Sequence, residues 1–125
     1  MSALYSVLKE IGTEAERKVK NELSGPAGPI KILFYNIIMP LVLNFKTEEE
    51  SYHFIFQKGG SVSLCKGLHT NPDVTVNGEH AELLFLLQVQ DKERFKMDEK
   101  TRRIMITTRT FKGRQAVTKL RELFL

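Results

Sequence analysis

The side chains that could carry out chemistry are few in this sequence and lie far apart. Three histidines, His53, His69 and His80, fall on a predicted strand, a loop and a helix start, and no pair has the spacing of metal ligands. The single cysteine, Cys65, has no cysteine partner with which to bind zinc or form a disulfide. The sequence therefore predicts no metal site and no cofactor.

The densest group of ionisable side chains is Glu79-His80-Ala81-Glu82. Carboxylates beside an imidazole are the groups that general acid–base catalysis uses. A helix is predicted to begin here, however, and carboxylates in a first helical turn stabilise the helix dipole. We therefore interpret these side chains as capping and solubilising that turn. Gly59-Gly60 joins a strand to a strand, whereas a phosphate-binding loop joins a strand to a helix. The sequence predicts a protein that is not an enzyme.

Positive charge is concentrated in the last third of the chain. Residues 91–125 hold 11 Lys and Arg against 5 Asp and Glu, a net charge of +6, whereas the first 90 residues hold 8 against 10. Such a region attracts an anionic membrane surface or a protein partner, unless it is only a solvated helix face. Nucleic acid is not expected, because aromatic residues for base stacking are sparse there.

Length and composition indicate one domain over residues 1–125. The chain is 42% hydrophobic and 27% charged, as is typical of a soluble globular protein. The first eight residues lack the basic flank of a signal peptide. The longest apolar run, residues 30–45, is interrupted by Lys31, Asn36, Pro40 and Asn44 and falls short of the roughly 20 apolar residues that span a bilayer. We expect a cytoplasmic protein.

Hydrophobic periodicity then gives the elements. A helix capped by Ser2 is predicted to run to Leu23, and residues 30–38 fit a short helix with a stripe of Ile30, Leu33, Phe34, Ile37 and Ile38. Strands are predicted over residues 41–46, 52–57, 62–64, 73–76 and 103–108, and a last helix starts near Thr110 with its stripe beginning at Phe111. No element is predicted over residues 90–100. This order indicates an α+β domain, with a five-stranded, mostly antiparallel sheet and helices packed on one face.

The helix predicted over residues 81–89 is apolar nearly all round. Such a helix must be covered on several sides, either by protein or by a bound molecule. Phenylalanines on neighbouring strands and helices add bulky walls, which are the usual lining of a pocket for an apolar ligand. The sequence therefore predicts more apolar interior than a core requires, although the same phenylalanines could fill a solid core.

Two stretches of the sequence resemble the sterol carrier protein 2 family. In the first, residues 73–76 are followed by the leucine-rich helix 83–87. In the second, residues 103–107 are followed by Ala116-Val117-Thr118-Lys119-Leu120. In that family a strand of the type D-x-T-hydrophobic precedes a leucine-rich helix, and a later strand leads into a helix of the type A-M-K-L. The family usually has a Gly-Asp or Gly-Asn turn after the fifth strand, where this sequence has Thr108-Arg109-Thr110-Phe111-Lys112-Gly113. The resemblance implies a sheet and helices that enclose a tunnel for a lipid, sterol or fatty acyl chain, including acyl-coenzyme A.

Two hypotheses of function follow. The first is a carrier whose ligand would contact side chains that point between sheet and helices. The predicted ligand-binding residues are Phe34, Leu43, Phe45, Phe54, Phe56, Val76, Leu84, Leu87, Ile104, Phe111, Leu120 and Phe124. The second hypothesis is an accessory module that dimerises or binds a partner protein without a lipid ligand. The sequence leaves monomer and homodimer both open.

Overall fold

A computed structural model describes residues 2–26 and 28–125 of the chain. The described residues form five helices and five strands. Their bounds are α1 (Ala3–Ser24), α2 (Gly28–Ile38), β1 (Leu41–Lys46), β2 (Ser51–Phe56), β3 (Val62–Lys66), β4 (Val74–Gly78), α3 (His80–Val89), α4 (Lys92–Lys100), β5 (Ile104–Thr108) and α5 (Phe111–Phe124).

The five strands form one sheet in the order β3-β2-β1-β4-β5. All neighbours pair antiparallel except β1 and β4, which are parallel. The register places Leu43 opposite Phe54 and beside Val74, so one face of the sheet is apolar and buried. The other face carries half-exposed residues such as His53 and Ile55. The predicted fold class is confirmed.

The helices cover the apolar face of the sheet. Leu4, Leu8, Ala15 and Val19 of α1 are buried at helical spacing, as the sequence predicts. The Ser2 hydroxyl caps this helix by accepting a hydrogen bond from the Tyr5 amide at 3.0 Å. Thr110, near which the last helix was predicted to start, caps α5, because its hydroxyl accepts a hydrogen bond from the Gly113 amide at 3.0 Å.

Asp73 joins two strands to the last helix. This buried carboxylate accepts a hydrogen bond from the Val42 amide at 2.8 Å and another from the Thr110 hydroxyl at 2.7 Å. Gly113 allows the close approach, since a Cβ atom built there would lie 2.3 Å from the Asp73 carbonyl oxygen. The start of α5 is thereby fixed to the starts of β1 and β4, which places the α5 side chains over the sheet.

Three sequence predictions about elements are wrong. Residues 92–100, to which no element was assigned, form α4, which begins at an Asp91 cap and buries Phe95. Asn77 and Gly78, which lie beyond the fourth strand predicted over residues 73–76, belong to β4 and pair with β5. The helix α3 is not covered all round, because Phe85 and Val89 are 40% and 51% exposed. The Arg94 guanidinium lies 4.4 Å from the centre of the Phe85 ring and shields its face.

The predicted short helix α2 is present, but it packs by an unexpected side. Tyr35 and Ile38 are buried, whereas Ile30, Leu33 and Ile37 of the predicted stripe are 72%, 67% and 60% exposed. The run is apolar at almost every position, so its sequence does not define which side packs. A polar contact decides it, because the buried Tyr35 hydroxyl donates a hydrogen bond to the Glu22 carboxylate of α1.

Candidate functional site

An apolar pocket lies between the sheet and the helices α3, α4 and α5. Eleven of its twelve lining residues are apolar, and the other is Arg121. The lining residues are Leu43, Phe45, Val74, Val76, Leu87, Phe95, Ile106, Val117, Leu120, Arg121, Phe124 and Leu125. The space between these side chains, counted together with the open solvent at its mouth, is about 420 Å³.

Much of that space is too narrow for a ligand. The volume that the centre of a water molecule can reach is only about 40 Å³. One water needs roughly 10–15 Å³ by this measure, so the pocket as it stands would hold a few small molecules. A long acyl chain would enter only if a wall moved.

The floor of the pocket is the apolar face of β1, β4 and β5. Phe45 of β1 stacks on Phe124 near the end of α5, with ring centres 5.5 Å apart. Phe124 also meets the Phe54 ring edge to face at 5.3 Å. The end of α5 is therefore held on the sheet by aromatic contacts.

The opposite wall is α4, and charged contacts hold it. Phe95 of α4 points into the pocket and is 5% exposed. Arg121 of α5 forms a bidentate ion pair with Glu99 of α4, with one N–O distance of 2.8 Å, and its guanidinium lies 5.7 Å from the Phe95 ring centre. Gln90 and Arg102, on either side of α4, have left-handed backbone with φ of 54° and 62°.

A second ion pair anchors α4 to α3. The Arg94 guanidinium donates two hydrogen bonds of 2.7 Å to the Glu82 carboxylate, which is 5% exposed. This contact, aided by the nearby Asp98 and Arg103, lowers the pKa of Glu82 to about 2. The interpretation of Glu82 as a solubilising residue is therefore wrong, because tertiary contacts cover it.

Asp98 of α4 is buried beside Glu82. Its side chain is 4% exposed, and its Oδ2 atom has no hydrogen-bond partner among residues 2–26 and 28–125. Burial and the negative charge of Glu82 raise the pKa of Asp98. Neither carboxyl lines the pocket, so this pair supports the position of α4 and takes no part in the candidate site.

The structure brings half of the predicted ligand-binding residues to the pocket. Those six are Leu43, Phe45, Val76, Leu87, Leu120 and Phe124. Phe54, Phe56 and Ile104 are buried in the core but do not line the pocket, and Leu84 and Phe34 are half-buried outside it.

Phe111 is 64% exposed, so its predicted place on the buried stripe of α5 is wrong. The buried line of this helix runs through Gly113, Ala116 and Leu120. Phe111 precedes Gly113 by two positions, which turns it about 200° away from that line.

Six residues that line the pocket were not predicted to do so: Val74, Phe95, Ile106, Val117, Arg121 and Leu125. Val74 and Ile106 carried a usable signal, since each lies two positions from a predicted pocket residue on the same strand face. Phe95 and Arg121 carried none, because their places depend on the α4 helix and its Glu99.

The site offers no metal chemistry in the part of the chain that the structure describes. Over those residues, no three His, Cys, Asp or Glu side chains are grouped so that they could hold a metal ion. His80, at the start of α3, is instead hydrogen-bonded to the Thr47 hydroxyl at 3.1 Å and lies 3.5 Å from the Glu50 carboxylate. No helix within residues 2–26 and 28–125 has the length and apolar character needed to cross a bilayer.

The chain matches no protein-family model and no curated protein. Its fold is similar to that of solved structures. The ubiquinone synthesis protein UbiJ-SCP2 has a TM-score of 0.56 at 15% identity, with 94% of this chain and 97% of that chain covered. Sterol carrier protein 2-like 2 from Aedes aegypti has a TM-score of 0.54 at 18% identity, with 96% and 94% covered.

Two further structures bear on the range of this fold. Palmitated SCP2L2 from Aedes aegypti has a TM-score of 0.51 at 20% identity, with 94% of this chain and 90% of that chain covered. The sec-alkylsulfatase Pisa1 from Pseudomonas sp. has a TM-score of 0.51 at 13% identity, and the match covers 83% of this chain but 17% of the sulfatase. The chain thus has a sterol carrier protein 2-like fold, as the resemblance predicted.

Proposed function

We propose that this protein is a non-enzymatic carrier that holds a lipid, sterol or fatty acyl chain in the pocket between the sheet and α3, α4 and α5. The observation that carries the proposal is the pocket wall, which consists of eleven apolar residues and one arginine. A domain with the same fold from Aedes aegypti is described as palmitated, which supports the class of ligand. We also propose that the carrier works in the cytoplasm, in keeping with its single, unpaired Cys65.

The apolar wall supplies enough free energy for useful affinity. Each buried methylene group contributes about 0.8 kcal/mol, so about ten methylenes contribute about 8 kcal/mol. The loss of ligand and side-chain freedom on binding offsets part of this gain, and a net binding free energy of about 8 kcal/mol, which corresponds to micromolar affinity, requires a chain longer than about ten methylenes. Leu87, Val76 and Leu120 would contact the chain along its length.

Arg121 would hold the polar end of the ligand. Its guanidinium lines the pocket and is already paired with the Glu99 carboxylate. A ligand carboxylate or phosphate offers the same bidentate geometry and can replace Glu99. Because that exchange frees α4 from α5, we infer that head-group binding loosens the α4 wall, while the Arg94–Glu82 ion pair still attaches α4 to α3.

Filling the pocket with a side chain tests the proposal. Val117 lines the pocket from α5, so Val117→Phe should occupy the space that a ligand needs and weaken uptake of a fluorescent fatty acid at least tenfold. Val89→Phe is the matched control, because Val89 lies on α3 with 51% of its surface exposed. Native mass spectrometry of the purified protein checks for bound lipid. Equal uptake by both variants, or no uptake by the natural protein, would exclude the pocket as a carrier site.

The alternative function is an accessory module that binds a partner protein or a second copy without a lipid ligand. The narrowness of the pocket favours this alternative, since the centre of a water molecule can reach only about 40 Å³ of the pocket. Light scattering separates the two functions. A monomer that takes up a fatty acid supports the carrier, and a tight, ligand-free dimer supports the module.

A further inference from the structure

The helix α2 carries its apolar side chains on the outside of the molecule. Ile30, Leu33 and Ile37 follow each other at intervals of three and four residues and are 72%, 67% and 60% exposed. Ile32 is 45% exposed beside them. Single exposed apolar residues are ordinary on protein surfaces, but a continuous stripe of this kind marks an interaction site.

The outward orientation of this stripe is fixed by contacts on the opposite side. The buried Tyr35 hydroxyl donates to Glu22 of α1, and Lys119 of α5 also donates to Glu22. The Lys119 ammonium lies 5.8 Å from the centre of the Tyr35 ring. Tyr35 therefore binds α2 to both neighbouring helices and holds the Ile30–Leu33–Ile37 stripe towards solvent.

The two segments that meet here, α2 and the first half of α5, are basic. Residues 28–40 and 109–119 contain five basic residues and no acidic one; the basic residues are Lys31, Arg109, Lys112, Arg114 and Lys119. The start of α5 lies against the end of α2, because the Lys112 ammonium donates to the Pro40 carbonyl. Phe111, which is 64% exposed, is next to that contact in the chain.

Three carboxylates face this region from neighbouring elements. Glu22 is shared by Lys31 and Lys119, Glu122 lies 3.4 Å from Lys119, and Asp73 lies 3.8 Å from Lys112. Five basic residues against three acidic ones leave a net charge of +2, which rests on Arg109 and Arg114 because the three lysines are paired. Arg114 and Arg109 are both exposed, and the Arg109 guanidinium donates a hydrogen bond of 3.4 Å to the Thr70 carbonyl, so their charges are open to solvent.

A second copy of the chain does not suit this surface. A helix of 11 residues is about 16 Å long and about 10 Å wide, so its face covers about 160 Å². Each partner contributes roughly 800 Å² to a stable interface, which is far more than this face offers. A two-fold contact through α2 would also place the basic borders of two copies against each other. Both arguments favour an occupant that is extended, apolar inside and negatively charged at its surface.

We propose that the exposed face of α2 docks on an anionic lipid bilayer, with Ile30, Leu33 and Ile37 inserted at the boundary of head groups and acyl chains. Helices that lie in this boundary bury an apolar face and keep lysines and arginines among the head groups. Basic residues beside the surface add attraction to anionic lipids. This docking does not depend on a loaded pocket and stands whether or not the protein is a carrier.

Sedimentation with vesicles tests the proposal. The full chain should co-sediment with vesicles of phosphatidylcholine and phosphatidylserine, about tenfold more weakly with phosphatidylcholine alone, and more weakly again at high salt. The triple variant Ile30→Ser, Leu33→Ser, Ile37→Ser should lose about tenfold or more in binding to the mixed vesicles. The matched control is Leu68→Ser, Val89→Ser, Met97→Ser, since these residues are 44%, 51% and 58% exposed outside α2.

The outcomes are distinct. Loss of vesicle binding in the α2 variant alone, with circular dichroism and fatty-acid uptake unchanged, supports docking through α2. Absence of binding by the natural protein, or equal binding by all three proteins, overturns it. A concentration-dependent dimer that only the α2 variant loses also overturns it, because the face would then belong to a second copy.

Discussion

At the scale of single residues, the contact between Asp73 and Gly113 positions the candidate site. The carboxylate of Asp73 fixes β1 and the start of α5, and the missing side chain of Gly113 lets the α5 backbone approach the Asp73 carbonyl. Val117, Leu120 and Arg121 follow on the same helix and line the pocket. Their placement therefore depends on a glycine that has no role in binding.

Gly113→Ala should destabilise the protein. Alanine is the better helix former by about 1 kcal/mol, yet its Cβ would lie 2.3 Å from the Asp73 carbonyl oxygen, which is backbone and cannot easily move. We expect a net loss of about 2 kcal/mol in the free energy of unfolding, measured by urea denaturation. Gln115→Ala, at an exposed position of the same helix, should change it by less than about 0.5 kcal/mol. Equal effects of the two substitutions would contradict this account.

At the scale of elements, hydrophobic spacing predicts the strands and the packed face of α1 well, but it does not predict the packed face of α2. Leu41, Leu43 and Phe45 are buried as their spacing of two predicts, because a strand has only two faces. The α2 sequence is apolar on every side, so only the contact of Tyr35 with Glu22, which joins distant parts of the chain, determines which side packs. Phe34 of α2, a predicted ligand-binding residue that lies outside the pocket, was misplaced for the same reason.

The helix α4 shows what a sequence pattern leaves out. Its one deeply buried apolar residue, Phe95, gives no stripe, and the cap at Asp91 is a signal too common to define a helix alone. Ion pairs with Glu82 and Arg121 hold the helix in place, and such pairs become visible only when the partners are adjacent in space. The positions of Phe95 and Arg121 in the pocket wall could therefore not be predicted from the sequence.

The buried pair of Glu82 and Asp98 predicts a pH effect on the attachment of α4. Burial raises the pKa of Asp98 above its ordinary value of 3.8, so its contribution to stability is full below that value and is lost as the pH rises through the raised pKa. Asp98→Asn cannot ionise and avoids this loss. We expect the variant to be the more stable protein at neutral pH and the two free energies of unfolding to converge at low pH.

Urea denaturation at neutral pH and below pH 3.8 measures this difference. The exposed Glu93→Gln on the same helix is the control and should show no such change with pH. The effect of Glu82 on stability has the opposite dependence on pH and is the same in both proteins. Its pKa is lowered to about 2, so the stabilisation from its charge is lost as the pH falls towards that value. A variant that is less stable than the natural protein at neutral pH would show that the Asp98 carboxylate is favourable where it lies.

At the scale of the whole molecule, a narrow pocket is compatible with a carrier function if the bound ligand becomes part of the hydrophobic core. A molecule that binds only the folded state stabilises it, by about 2.7 kcal/mol when its concentration is a hundred times the dissociation constant. For a domain of this size, palmitate at that concentration should raise the melting temperature by about 10 °C. The pocket-filled variant Val117→Phe should show little of this shift, whereas Val89→Phe should keep it. Calorimetry with and without palmitate measures both. A shift of the same size in Val117→Phe would place the binding site elsewhere on the molecule.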